Sequence, residues 1–194
     1  MGLVRAFIAC EFSDSLQDAI QSATTDFRAG LGSNLVRWVP ARKIHLTLKF
    51  LGDIPETSLE SIQGILIREA ARYAPFEIVV EGIGAFPNPR RPRVLWVGLN
   101  APPELTSLQR EIDLATEKLG YKSDFKDFSP HLTIGRVQQA ASAVDQQRIR
   151  EGIARAQVGR IGSQHVDAVH LIRSDLQASG SVYTELFSAH LAST

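Results

Sequence analysis

The sequence predicts an α+β fold in which sheets are flanked by helices. Apolar residues recur at every second position in some stretches and at every third or fourth in others, and the two patterns alternate along the chain. No low-complexity tract or break in composition divides the 194 residues. One short motif occurs twice, 86 residues apart from His45 to His131. That spacing is too long for a solenoid period of ~20–50 residues and suits a duplicated half.

Taken in order, Val4 to Phe12 reads as a strand. A helix follows over Asp14 to Ala29, with Leu16, Ala19, Ile20, Ala23 and Phe27 on one stripe and Gly30 and Gly32 ending it. Ile44 to Leu51 is a strong strand closed by Gly52-Asp53, and Glu56 to Arg72 is a helix with Leu59, Ile62 and Leu66 along one face. Phe76 to Glu81 and Arg93 to Leu99 are strands joined by the turn-rich segment Phe86 to Pro92. Glu104 to Leu119 is a helix with Gly120 as its stop. Ser129 to Val137 is a strand and Asp145 to Gln157 a helix. Gln164 to Arg173 and Tyr183 to His190 are the last two strands.

The composition narrows the function classes. Hydrophobic residues make up 44% and charged residues 22%, a globular balance, and a chain this long folds without metals or disulfides. Lys plus Arg equals Asp plus Glu at 21 each. Zero formal charge argues against coating nucleic acid through a general field, yet permits a local grip on one phosphate. Cys10 is the single cysteine, in the apolar run after Ala6, and reads as a small buried side chain in a reducing, cytoplasmic setting. The first nine residues lack the apolar core of a signal peptide, and no stretch reaches the ~18 apolar residues of a membrane span.

The repeat carries the chemistry. Ile44-His45-Leu46-Thr47-Leu48 recurs as Pro130-His131-Leu132-Thr133-Ile134, each time in a predicted strand that follows an amphipathic helix and a loop. Alternate strand residues share a face, so His45 points with Thr47 and His131 with Thr133, while Leu46, Leu48, Leu132 and Ile134 enter the core. Two such strands across a cleft bring together two imidazoles and two hydroxyls. Imidazoles titrate near neutrality, so one can take a proton from water while the other protonates a leaving oxygen, as in-line attack on a cyclic phosphodiester requires. The threonine hydroxyls can donate to non-bridging phosphate oxygens. This arrangement needs no metal and no cofactor. His165, His170 and His190 lack a threonine two residues on and read as structural or surface residues.

With their flanks, the paired motifs resemble those of the 2H phosphoesterase superfamily, and within it the RNA 2′,3′-cyclic phosphodiesterases once described as 2′-5′ RNA ligases. The likeness spans nearly the whole chain: Arg5-Ala6-Phe7-Ile8-Ala9, Lys43 to Gly52, Arg93-Val94-Leu95-Trp96-Val97-Gly98, Ser129 to Arg136, and Gly180-Ser181-Val182-Tyr183. The resemblance implies a bilobal fold over residues 1–194, one domain of two intertwined, pseudo-symmetric lobes. Each lobe is an antiparallel sheet with outer helices, and a central cleft lies between them. It implies His45 as proton donor and His131 as proton acceptor, an assignment that strand physics alone leaves open. The implied substrate is RNA with a 2′,3′-cyclic phosphate end, small cyclic nucleotides are accepted, and the product is a 2′-phosphate. A monomer away from membranes is expected.

The resemblance also puts Arg136 at the phosphate. Strict alternation sets it on the face opposite His131 and Thr133, unless Gly135 permits a local bend. Lys49 shares the His45 face by the same alternation, roughly 13 Å along the strand and so nearer the cleft edge than the phosphorus. Arg90, Arg91 and Arg93 could guide an RNA backbone and Trp38 or Phe86 could stack a base. The bland reading, a solvated basic loop and two packing aromatics, is favoured; Arg42 and Lys43 share that ambiguity. Two rival functions stand beside hydrolysis. One is reversible 2′-5′ ligation of a cyclic phosphate to a 5′-hydroxyl, which water at ~55 M usually outcompetes. The other is a module that binds RNA ends without turnover, which has no use for two matched proton-transfer groups.

Overall fold

Local chemistry sets where the first helix begins and breaks. In the computed structural model, which describes residues 2–123, 128–178 and 180–192, the Ser13 hydroxyl caps the helix by accepting from the Leu16 amide. The expected single helix over 14–29 is two, α1 (Asp14–Ala23) and α2 (Thr25–Leu31). Between them the buried Thr24 hydroxyl donates back to the Ile20 carbonyl at 2.8 Å, a competing bond of the kind that bends helices. The preceding strand is β1 (Leu3–Cys10), and Cys10 is buried and free, its thiol pushed up to about 12 by desolvation.

The order continues through β2 (Val36–Trp38), a 3-10 turn (Ala41–Lys43) and β3 (Leu46–Pro55). A second 3-10 turn (Glu56–Ser58) precedes α3 (Leu59–Ala70). Then come β4 (Phe76–Phe86), β5 (Val94–Asn100), α4 (Pro103–Glu117), β6 (His131–Val137) and α5 (Ala143–Arg155). The chain closes with β7 (Arg160–Val166), β8 (Ala168–Gln177) and β9 (Gly180–His190). Gly120 ends the α4 segment as expected, at φ +94° with its amide on the Glu117 carbonyl. A reciprocal Ser142–Asp145 capping box starts α5 two residues before the expected position.

The strands form two antiparallel sheets, β3-β1-β8-β9 and β2-β6-β5-β4-β7. The expected strand over Gln164 to Arg173 is in fact β7 and β8, which turn at Asp167 and join different sheets. The apolar pattern runs through that corner unbroken, so only the pairing reveals it. β2, three residues long, was not expected; it forms an edge beside β6. The helices cross over. α4, which connects two strands of the five-stranded sheet, packs on β3 of the other, and α1, which follows β1, packs on β7. One contiguous apolar core, from Val4 and Ile8 to Leu132 and Ile134, fills the space beneath both sheets. The architecture is the expected α+β pair of sheets with outer helices.

Candidate active site

His45 is the last residue before β3 and His131 the first residue of β6, so each imidazole stands at the start of a strand instead of within it. The two are held alike. His45 Nδ1 donates to the Lys43 carbonyl at 2.9 Å, and His131 Nδ1 donates to the Ser129 carbonyl at 2.7 Å. A carbonyl can only accept, so the proton of each neutral ring is on Nδ1 and Nε2 is the free lone pair. Leu46, Leu48, Leu132 and Ile134 are buried in the core, as alternation requires. Thr47 and Thr133, half-buried, lie on the other face, opposite Ala9 and Trp96 in the neighbouring strands.

Each motif is followed by a β-bulge at the same offset, which the sequence reading did not foresee. Ala9 pairs with Thr47 and Ile8 with Lys49, leaving Leu48 as the extra residue; Trp96 pairs with Thr133 and Leu95 with Gly135, leaving Ile134 extra. The bulge resets the alternation. Gly135 takes the core side, where an added Cβ would meet Val36 Cγ1 at 2.6 Å and Trp38 at 2.9 Å. Arg136 therefore returns to the face of His131 and Thr133, the side that a local bend near Gly135 was expected to permit. The same reset overturns the reading of Lys49. It turns away from the His45 face and is only 3% exposed, with its ammonium on the Asp113 carboxylate of α4 and the Lys122 carbonyl.

Aromatic rings wall both imidazoles. Phe7 of β1 stacks on His45 with centroids 4.7 Å apart, and Tyr183 of β9 meets both rings edge-on at 5.2 Å. Phe86, at the end of β4, meets His131 edge-on at 4.8 Å. Desolvation by these walls is the main cause that lowers both imidazole pKa values, His45 to about 4. The carbonyl bonds to Nδ1 oppose the shift, and the Arg136 charge adds to it at both rings. The charge of one guanidinium thus reaches both histidines, and β3 and β6, which carry the two motifs in different sheets, touch one another. An anion entering between the motifs meets a cation and two imidazoles that its own charge would raise.

The other basic and aromatic candidates separate. Trp38 is committed to packing: its indole donates to the Gly32 carbonyl, its ring meets Phe27 edge-on at 5.8 Å, and Arg28 lies over it. Arg42 is held by Asp14 and Asp18 on α1. Arg90, Arg91 and Arg93 are exposed on the turn between β4 and β5, where the Asn88 side chain accepts from the Arg90 and Arg91 amides. That turn leaves from the row Phe86–Val94–Arg136, at the Arg136 end of the site. His165 pairs with Glu77 at the surface. His170 sits on the motif-bearing face, opposite Ala9, bonded to Glu185 at 2.7 Å. With Glu11 these groups place ligand atoms within 4.8 Å of one another. No spacing in the sequence marks that trio, because its members come from three separate segments.

A family model for the 2′-5′ RNA ligase superfamily matches residues 12–178. The chain is similar to an RNA 2′,3′-cyclic phosphodiesterase of Methanothermobacter thermautotrophicus, 35% identical over 94% of this chain and 96% of that one. Among solved structures, a Thermus thermophilus protein superposes with a TM-score of 0.78 at 29% identity, over 96% of this chain and 97% of the other. The E. coli LigT structure with 3′-AMP also superposes, at a TM-score of 0.78 and 21% identity over 99% and 100% of the two chains, a likeness of fold.

Proposed function

The chain belongs to the 2′-5′ RNA ligase superfamily, and we propose that it hydrolyses 2′,3′-cyclic phosphate ends of RNA to 2′-phosphates. The observation that carries this reading is the matched pair of imidazoles, each pinned through Nδ1 with Nε2 free, under one shared guanidinium. The relatives named RNA 2′,3′-cyclic phosphodiesterase support the substrate class. We read the two sheets as intertwined lobes of one domain that works as a monomer. No described helix is long and apolar enough to cross a membrane, and a single buried cysteine suits a reducing cytoplasm.

In this mechanism Nε2 of His131 removes a proton from water, whose oxygen attacks phosphorus in line with the 3′ oxygen. The bond from phosphorus to that oxygen breaks, and Nε2 of His45 supplies the proton that makes it a 3′-hydroxyl. Phosphorus stays on the 2′ oxygen. Thr47, Thr133 and Arg136 donate to the non-bridging oxygens as charge builds. The donor and acceptor roles follow the family resemblance. The electrostatics of the free site add a condition: His45, at about 4, is neutral at neutral pH and is protonated for its role only once the phosphate is bound.

That condition gives the test of the function a sign. The active form carries one proton on the pair, and in the free protein both imidazoles sit below the ordinary 6.5. The bell for kcat/KM, which reports the free enzyme, therefore peaks below 6.5 and falls as pH rises through neutrality. The bell for kcat peaks higher, because the bound phosphate raises both groups. Two imidazoles of ordinary pKa would instead put the bell around neutrality. The measurement is hydrolysis of 2′,3′-cyclic AMP from about pH 4.5 to 9 with a strong chelator present, with 31P NMR identifying 2′-AMP. A 3′-phosphate product, or activity abolished by the chelator, would refute the proposal.

Thr47→Ala and Thr133→Ala each remove one hydrogen bond to a charged oxygen, on the order of 1.5–3 kcal/mol, and should lower kcat/KM by roughly 10- to 150-fold. Steady-state kinetics on the same nucleotide checks this; full activity in both variants means that the hydroxyls do not meet the phosphate.

A further inference from the structure

The paired bulges give the two motif strands the same plan: histidine, threonine two residues on, an extra residue at the third position, a core-facing residue at the fourth, and a return to the site face at the fifth. In the second motif the fifth position is Arg136. In the first it is Phe50. Phe50 pairs directly with Phe7 of β1, so the two side chains share a face, and their ring centroids are 6.0 Å apart. Phe7 is 3% exposed, packed with Ala9 and Ile172 in a small cluster separate from the main core. Phe50 is 59% exposed. The site thus presents a cation from one sheet and, at the corresponding place on the other, a bare aromatic ring.

We infer that Phe50 is a stacking platform for a second nucleobase, that of the nucleotide next to the reacting end of the RNA. The inference rests on the hydrolase reading for its substrate class. The ring is joined to His45 through Phe7, in centroid steps of 4.7 and 6.0 Å, which keeps it within reach of the adjoining nucleotide. A phenyl ring cannot hold the phosphate, but every base offers a flat face that stacks on it without regard to sequence. The exposed arginines, Arg136 and the Arg90–Arg93 turn, stand on the opposite sheet, where they can attract the backbone of the same strand. An RNA end therefore gains from a wall that a lone nucleotide does not reach.

The experiment compares 2′,3′-cyclic AMP with a diadenylate ending in a 2′,3′-cyclic phosphate, on the full chain and on Phe50→Ala, Phe50→Leu and Phe50→Trp. Circular dichroism confirms folding of each variant. For Phe50→Ala and Phe50→Leu, kcat/KM on the dinucleotide should fall about 10- to 100-fold further than on the mononucleotide, the scale of one lost base stack, with the difference in KM. Phe50→Trp should retain the wild-type preference. Equal losses on the two substrates, or no loss on either, overturn the inference. Wild-type protein that turns over neither substrate defeats the hydrolase reading alone. The stacking is then decided by calorimetric titration of the diadenylate 2′-phosphate, where unchanged affinity in Phe50→Ala overturns it.

Discussion

His45→Ala and His131→Ala should each lower turnover of 2′,3′-cyclic AMP by about 10²–10⁴-fold, the usual contribution of one positioned acid or base. The two losses should not add in the double variant, because the imidazoles act on one proton inventory. The environments make the folding control matter. His45 is stacked on Phe7 and edged by Tyr183, so removing its ring opens a gap in that cluster. His45→Gln fills much of that gap and keeps a donor for the Lys43 carbonyl, yet it cannot transfer a proton near neutrality. The expected result is an inactive, folded His45→Gln protein, checked by single-turnover kinetics beside a thermal melt. Turnover near the wild-type rate in either glutamine or alanine variant would remove the two-histidine mechanism.

Asp113→Ala should destabilise the chain by about 3–5 kcal/mol, the cost of stranding a buried charge. Lys49 loses its carboxylate while its ammonium stays buried beneath β3, and Ser123, whose hydroxyl donates to Asp113, loses its acceptor too. The pair ties the first motif strand to α4 and, through the Lys122 carbonyl, to the segment that leads towards the second motif. Both motifs therefore depend on it, and activity should fall alongside stability. Lys49→Met with Asp113→Leu, which removes both charges and keeps the volume, should recover most of the loss. Urea unfolding measures the parent and both variants. An Asp113→Ala protein as stable as the parent would mean that water reaches Lys49.

Much of this site was legible in the order of residues. The repeated histidine–threonine motif named His45, Thr47, His131 and Thr133, and period-2 alternation sent Leu46, Leu48, Leu132 and Ile134 to the core. Helical periodicity found the long helices, though not the break at Thr24, the 3-10 start before α3 or the earlier start of α5. Each of these features depends on residues a few positions apart, so the order of the side chains is enough to express it.

What the tertiary structure decided lies at distances that no local pattern spans. The side that Lys49, Phe50 and Arg136 face turns on one unpaired residue in each motif strand, and a bulge is a relation to the neighbouring strand, not to the next residue. The split of β7 from β8 at Asp167 depends on which sheet offers each its free edge. The low pKa of His45 arises from Phe7 and Tyr183, 38 positions before it and 138 after, because desolvation follows enclosure and not sequence. The proposed chemistry of the pair rests on the order of residues; its electrostatic setting, and the exposed Phe50 ring beside Phe7, exist only once the strands pair and the sheets close.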